Sequence, residues 1–357
     1  MRNDFTGETK GANMKIVIDA LGSDLGPSMV AEAIKLAWKD RKFETVLVGP
    51  EKDLRELLKN PVQPVEYIDT NEYIDNDEAP AMAIRRKKDS SMVLGLQRLN
   101  DSDCDVFLSA GSTGALLAGA SLITRRAPGL LRCFLGALMP KSKGKAAILA
   151  DAGANMDTSP LMLLQFAIVS SLYAEKVMKI HQPKVALLSV GSEAHKGDQR
   201  VQSAYALLEG SNLNFVGNIE ARSILNAPVD VIITDGFSGN IAIKSTEGAL
   251  ITALKIVQDS ITANYLSKIG GLMILKSFYK YLTPFNYKNH GGAPLLGAKK
   301  PIYKAHGNSE AKTFALAIGE ALDFSEGHME GEVEKALNQP GKGIKREPLD
   351  DQEEQIQ

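Results

Sequence analysis

Asp105-Val-Phe-Leu-Ser-Ala-Gly-Ser-Thr-Gly-Ala-Leu-Leu-Ala-Gly-Ala120 carries the pattern of a strand, a tight turn and a helix in succession. Val106 to Leu108 is a short apolar run, the pattern of a buried strand. Ser109-Ala-Gly-Ser-Thr-Gly114 follows as a tight turn of small residues, and Ala115 onward is a strong helix former. Strand, turn and helix in that order leave backbone N–H groups free at the helix start. Those donors and the positive end of the helix dipole favour a small anion such as phosphate. For one such turn alone, close packing without a ligand is the better explanation. Its recurrence along the chain points to a site.

The same alternation runs on both sides of this stretch. Before it, strands are expected at Lys15–Asp19, Thr45–Val48 and Val65–Asp69, with helices from Pro27 to Trp38, Asp53 to Lys59, Ala79 to Lys88 and Ser91 to Leu99. After it come strands at Phe134–Met139, Ala146–Ala150, Lys184–Leu188, near Phe215, and at Val229–Thr234. Helices are expected from Pro160 to Met178 and Gln199 to Leu208, with a long one after Asn240. Short apolar strands alternating with helices predict an α/β fold whose mostly parallel sheet is covered on both faces.

Composition sets the outer bounds. A chain of 357 residues can bury a large core, and 44% hydrophobic with 24% charged residues is ordinary for a globular protein. A net charge of -2 gives no reason to expect nucleic acid. Cys104 and Cys133 are the only cysteines, in no metal-ligand spacing, and are expected to be buried and inert. No apolar run approaches the roughly 20 residues that span a bilayer, so a cytoplasmic location is expected. Residues 1–13 are polar and read as a leader outside the fold. Residues 14–337 read as one α/β catalytic domain, and 338–357 as a flexible acidic tail.

One segment differs in character. From Ser260 to Ser309 there is no acidic residue, whereas Lys268, Lys276, Lys280, Lys288, Lys299, Lys300 and Lys304 all fall there. Ile261, Tyr265, Ile269, Leu272, Leu275, Tyr279 and Leu282 recur at helical spacing, which suggests an amphipathic helical insertion at about 256–285. Gly270-Gly271 is expected to bend or divide it.

Five loops follow strands and combine Gly with Ser, Thr, Asn or Asp: Asp19–Asp24, Ser109–Gly114, Asp151–Asn155, Val190–Asp198 and Asp235–Asn240. In an open parallel sheet, all five are expected along one edge, where ligands bind. Familiar alternatives fail on spacing. The first turn, Ala20-Leu-Gly-Ser-Asp-Leu-Gly26, lacks the dinucleotide spacing, and Gly292-Ala-Pro-Leu-Leu-Gly-Ala298 has Ala where a nucleotide loop needs Lys. There is no serine-hydrolase elbow, zinc helix or Cys–His pairing. Donors and cations without a protein nucleophile suit a reaction in which phosphate itself attacks a carbonyl, the protein aligning it and stabilising the oxyanion.

Asp19-Ala-Leu-Gly-Ser-Asp24, Ile84-Arg-Arg-Lys-Lys-Asp-Ser-Ser-Met92, Ser109-Ala-Gly-Ser-Thr-Gly-Ala115, Asp151-Ala-Gly-Ala-Asn155, Thr234-Asp-Gly-Phe-Ser-Gly-Asn240, Gly291-Gly-Ala-Pro-Leu-Leu-Gly297 and Ala305-His-Gly-Asn-Ser309 together resemble the bacterial phosphate acyltransferase family, PlsX. The match runs in family order from Met14 to about Leu337. It departs at Leu21-Gly22-Ser23, where the family usually has Met-Gly-Gly, and at Ser112, where it usually has Asn. The resemblance implies a three-layer α/β/α fold like the isocitrate and isopropylmalate dehydrogenases. It implies transfer of a fatty acyl chain from acyl carrier protein to inorganic phosphate, giving acyl phosphate for phospholipid synthesis. A homodimer, loose association with the membrane and contact with a membrane glycerol-3-phosphate acyltransferase are also implied, and no metal or redox cofactor is expected.

Within that chemistry, Ser109, Gly111, Ser112, Thr113 and Gly114 are assigned to phosphate or thioester oxygen. Asn155 and Asn240 are candidate donors to phosphate or the oxyanion, although Asn also suits left-handed turns. Arg85 and Lys88 are candidate anion clamps, and Lys196 in a Gly-flanked loop is the better cation. His306 is the candidate proton donor to the departing thiolate. Asp19, Asp24, Asp151 and Asp235 are expected to brace loops. Leu272, Leu275, Lys268 and Lys276 are assigned to a membrane or acidic carrier-protein contact, with a dimer interface as the alternative. A phosphate acetyltransferase using a coenzyme A thioester, a nicotinamide-dependent dehydrogenase and a membrane-surface scaffold remain open. Phosphate-dependent release of thiol from each donor separates them.

Overall fold

The strands carry apolar residues on alternate positions, and each set packs under its own helix layer. The structure, a computed structural model, describes residues 14–101, 103–141, 146–282 and 291–339, the side chains of 275–282 excepted. In chain order the elements are β1 (Lys15–Asp19), α1 (Gly26–Asp40), β2 (Glu44–Gly49), α2 (Glu51–Leu57), β3 (Val65–Asp69), α3 (Pro80–Arg86), α4 (Ser91–Leu99), β4 (Val106–Ser109) and α5 (Thr113–Gly119). They continue as β5 (Phe134–Met139), β6 (Ala147–Ala150), α6 (Pro160–Lys176), β7 (Lys184–Ser189), α7 (Gln199–Glu209), β8 (Asn214–Glu220), β9 (Val231–Ile233), α8 (Gly236–Thr262), α9 (Tyr265–Leu282), β10 (Gly292–Leu296), β11 (Ile302–Ala305), α10 (Ala311–Glu326) and α11 (Glu332–Leu337). All strands join one 11-stranded sheet in the order β3-β2-β1-β4-β11-β10-β5-β6-β9-β7-β8.

Ile16 and Ile18 of β1 pack with α1, α6 and α10 on one face, while Val17 between them packs with α4 and α5 on the other. This is the expected three-layer α/β/α arrangement. On the second face the apolar residues form two separate clusters, one under α3 to α5 and one under the start of α8. Leu295 of β10 and Leu135 of β5 belong to the first of these clusters, and Met139 at the other end of β5 to the second.

Three features differ from expectation. β10 pairs antiparallel with both β11 and β5, and β5 pairs antiparallel with β6. The strands β6 to β9 therefore run opposite to β1, β4 and β11. The Asp19 and Ser109 loops lie at one sheet edge, and the Asp151, Val190 and Asp235 loops at the other. Gly292–Ala298, which narrowly misses a nucleotide loop in sequence, contains central strand β10. A Cβ on Gly292 would stand 2.0 Å from the Lys304 carbonyl oxygen, and one on Gly291 would stand 2.0 Å from the Ala317 nitrogen. The helical segment divides at Ala263–Asn264, where the Asn264 side chain accepts from the Ser267 N–H at 2.9 Å. Gly270 and Gly271 lie inside α9, and Gly271 packs against Ile261 of α8.

No helix among the described residues is long and apolar enough to cross a membrane. Residues 1–13 and 340–357 lie outside the described residues.

Candidate active site

At the first edge, Asp19 is a structural brace. Its buried carboxylate accepts from the Leu21 and Gly22 N–H groups at 3.1 and 3.0 Å and from the Ser109 hydroxyl at 2.7 Å. Ser109 in turn accepts from the Gly111 N–H at 3.0 Å. The Ser109 hydroxyl, assigned from sequence to a ligand, is thus occupied within the protein. A Cβ on Gly22 would fall 2.6 Å from both the Gly111 nitrogen and an Asp19 oxygen, so the two loops interlock. Burial pushes the Asp19 carboxyl pKa up, against the pull of its donors.

Ser112 is the N-cap of α5, and its hydroxyl accepts a long bond, 3.5 Å, from the Ala115 N–H. The N–H groups of Thr113 and Gly114 make no hydrogen bond among the described residues, the usual state of a first helical turn. Gly114 has a packing reason as well: a Cβ there would stand 2.7 Å from Pro80 of α3.

β11 lies beside β4 with Lys304 opposite Ser109. The Lys304 ammonium donates to the Ala110 carbonyl at 3.1 Å and to the Ala305 carbonyl, and forms no ion pair among the described residues. Burial lowers its pKa to about 8, with Asp24 and Asp19 pulling the other way. His306 follows one residue beyond β11, exposed. Its pKa is lowered first by partial burial and then by the Lys304 ammonium. Asp24 clamps this corner through its backbone N–H, which donates to Gly307 O at 2.9 Å.

The opposite edge is organised by Asp151. One carboxylate oxygen accepts from the Leu135, Gly153 and Ala154 N–H groups at 3.2, 3.1 and 3.0 Å. The other accepts from the Asn155 backbone N–H at 2.7 Å and side-chain Nδ2 at 2.9 Å. Asn155 Nδ2 also donates to Cys133 O at 3.0 Å. Both of its amide hydrogens are therefore occupied, and the oxyanion-donor role expected of Asn155 is not available in this arrangement. Burial raises the Asp151 pKa as it does that of Asp19. Asp235 caps α8 by accepting from the Ser238 N–H at 2.9 Å and pairs with Arg200 at 3.0 Å. All three buried aspartates brace loops, as expected from their places at strand ends.

Helix α8 links the two edges. Asn240 lies against Gly153, whose φ of 127° admits no side chain without strain, and its amide makes no hydrogen bond among the described residues. Lys244 and Glu247, one and two turns further on the same helix face, are near enough to act on the charge of His306. His306 thus stands near Lys304 and within electrostatic range of Lys244 and Glu247, whereas Asn240 lies beside Gly153 at the other edge.

The other expected cations stand apart. Pro80 meets Gly114 and Ile84 meets Gly119, so α3 and α5 run parallel, and exposed Arg85 falls toward the far end of α3. Exposed Lys88 follows α3 and precedes Asp89, whose carbonyl accepts from the Thr70 hydroxyl beyond β3. Lys196 is exposed in the loop after β7, at the opposite edge. In α9, Leu272 and Met273 are 72% and 81% exposed, as is Lys268 to a large degree, while the side chains of Leu275 and Lys276 lie outside the described residues. Cys104 and Cys133 are buried, and burial pushes both thiols up to about 12, consistent with inert cysteines.

Two groups were not singled out from sequence. Lys304 reads there as one of several lysines; its only signal is its place in the Ile302-Tyr-Lys-Ala alternation. Arg200 has no sequence signal beyond following the Asp198 N-cap of α7.

Residues 14–330 match the family model described as fatty acid synthesis protein. The phosphate acyltransferase of Alkaliphilus oremlandii is 41% identical over 334 residues, covering 92% of this chain and 98% of that protein. That of Thermoanaerobacter pseudethanolicus is 39% identical over 329 residues, again 92% and 98%. A phosphotransacetylase crystal structure from Streptococcus pyogenes shares the fold at a TM-score of 0.58 and 19% identity, covering 89% of this chain and 94% of that one. By matched length and identity, this chain belongs to the phosphate acyltransferase family and is an acyltransferase.

Proposed function

We propose that the chain transfers a fatty acyl group from an acyl carrier protein thioester to inorganic phosphate, yielding acyl phosphate for phospholipid synthesis. The observation that carries this is the meeting of the open first turn of α5 with the ammonium of Lys304. Together they offer N–H donors and a cation to one small anion. Phosphate dianion needs no protein base to attack a thioester carbonyl. The chain's task is to hold it beside the carbonyl and to stabilise the oxyanion. Thr113 and Gly114 supply backbone donors, Ser112 orients the turn, and His306 stands next to Lys304 with Lys244 of α8 within electrostatic range.

Purified protein with long-chain acyl carrier protein is expected to release thiol and form acyl phosphate only when phosphate is added. Release that ignores phosphate, or activity confined to acetyl-coenzyme A, would overturn the proposal.

The exposed apolar residues of α9 and exposed Lys268 suit a lipid surface bearing negative charge, in a homodimer held at the membrane. Leu272→Glu with Leu275→Glu is expected to reduce sedimentation with anionic vesicles while leaving the dimer intact by light scattering. Undiminished vesicle binding together with dissociation into monomers would make α9 a subunit interface instead.

A further inference from the structure

Acyl transfer from a thioester leaves a thiolate that needs a proton. We infer that Lys304 is the group that supplies it, because its ammonium is held at the Ala110 carbonyl, beside the turn that receives phosphate, with one hydrogen uncommitted. The inference rests on the acyl transfer proposed above.

The geometry is specific. Of the three ammonium hydrogens, two go to the Ala110 and Ala305 carbonyls, and the third has no acceptor among the described residues. The ammonium faces Asp19 at the end of β1 and Asp24 in the loop beyond it. On its own strand end it faces His306, behind which stand Lys244 and Glu247 of α8 and Glu320 of α10. Asp19 already receives the Leu21 and Gly22 N–H groups and the Ser91 and Ser109 hydroxyls, and makes no ion pair with the lysine among the described residues. With burial lowering its pKa to about 8, Lys304 is mostly protonated at neutral pH yet close in acidity to an alkyl thiol, at about 8.5. His306, lowered from its ordinary value, is mostly neutral at pH 7 and carries no proton to give from an imidazolium.

The step balances within these groups. A phosphate oxygen forms the new bond to the thioester carbon, and the carbonyl pair moves to oxygen. On collapse the C–S bond breaks, sulfur keeps the pair, and the Lys304 ammonium protonates it. The P–OH proton of the acyl phosphate, far more acidic than an ammonium, passes to the neutral Lys304 amine and restores the ammonium.

The test compares one acyl group on two thiols, the alkyl thiol of acyl carrier protein and an aromatic thiol whose thiolate leaves without a proton. Lys304→Met is expected to lower kcat by about 100-fold or more with the alkyl thioester and by less than about tenfold with the aromatic one. In the unsubstituted protein, kcat for the alkyl thioester should fall above a pH of about 8, a limb absent with the aromatic thioester. Lys304→Arg keeps the cation but is too weak an acid, so it should repeat the pattern of Lys304→Met and carries the test if the Met variant does not fold. Equal losses on both thioesters, or a raised KM for phosphate with no change in leaving-group response, would overturn the assignment. Unsubstituted protein that releases no thiol in response to phosphate from either donor would end the acyl-transfer reading itself, and the inference with it.

Discussion

Gly239→Ala is expected to destabilise the fold by about 3 kcal/mol or more, whereas Gly248→Ala, further along the same helix, is expected to stabilise it by about 0.5–1 kcal/mol. A Cβ on Gly239 would stand 1.9 Å from the Asp151 carbonyl oxygen and 3.0 Å from Thr234 Cγ2. The carbonyl has little freedom to retreat, because the Asp151 N–H is bound to Thr234 O at 2.9 Å and its carboxylate is held by five donors. The start of α8 would have to lift from the sheet. At Gly248 nothing lies within 4 Å of the added carbon, so alanine contributes only its better helix propensity and a less flexible unfolded chain. Midpoints of urea unfolding for the two variants should move in opposite directions. Similar shifts for both would refute the close approach of α8 to the Asp151 loop.

Asp151→Ala is expected to cost about 3–5 kcal/mol, a size associated with breaking a buried charged network by removing one partner. Four backbone N–H groups and one side-chain amide lose their acceptor at once, in a place the intact protein keeps from solvent. Asp151→Asn should be nearly as harmful although it preserves shape, since an NH2 group would then face donors. The measurements are thermal and denaturant unfolding of both variants. An Asn variant as stable as the unsubstituted protein would mean that the carboxylate is not the acceptor for both sets of donors.

Much of this was legible along the chain. The Ser109–Gly114 turn declared itself by a strand, small residues and a helix former in succession, and the bracing aspartates by their places at strand ends. Two things were hidden for physical reasons. The alternation of buried residues reports that a segment is a strand and which face is apolar, but not its direction beside a neighbour. The opposed halves of the sheet therefore had no signature, and the loops expected along one edge divide between two. The role of Lys304 depends on Ala110, 194 residues away in sequence, and on a strand only four residues long. Asn155 leaves both roles open in sequence for a related reason: a short amide near a Gly turn looks the same whether it faces solvent or is bonded to Asp151 and Cys133.

The α/β class, the places of most strands and helices, the family and the chemistry of small loops suited to an anion can be read along the chain, because propensity, periodicity and local spacing are properties of neighbouring residues. Packing of distant segments sets which loops lie at which sheet edge, which hydroxyls and amides are already occupied, and which lysine is held between carbonyls. Those depend on strand direction and on burial, and both arise only when segments distant along the chain are packed against one another.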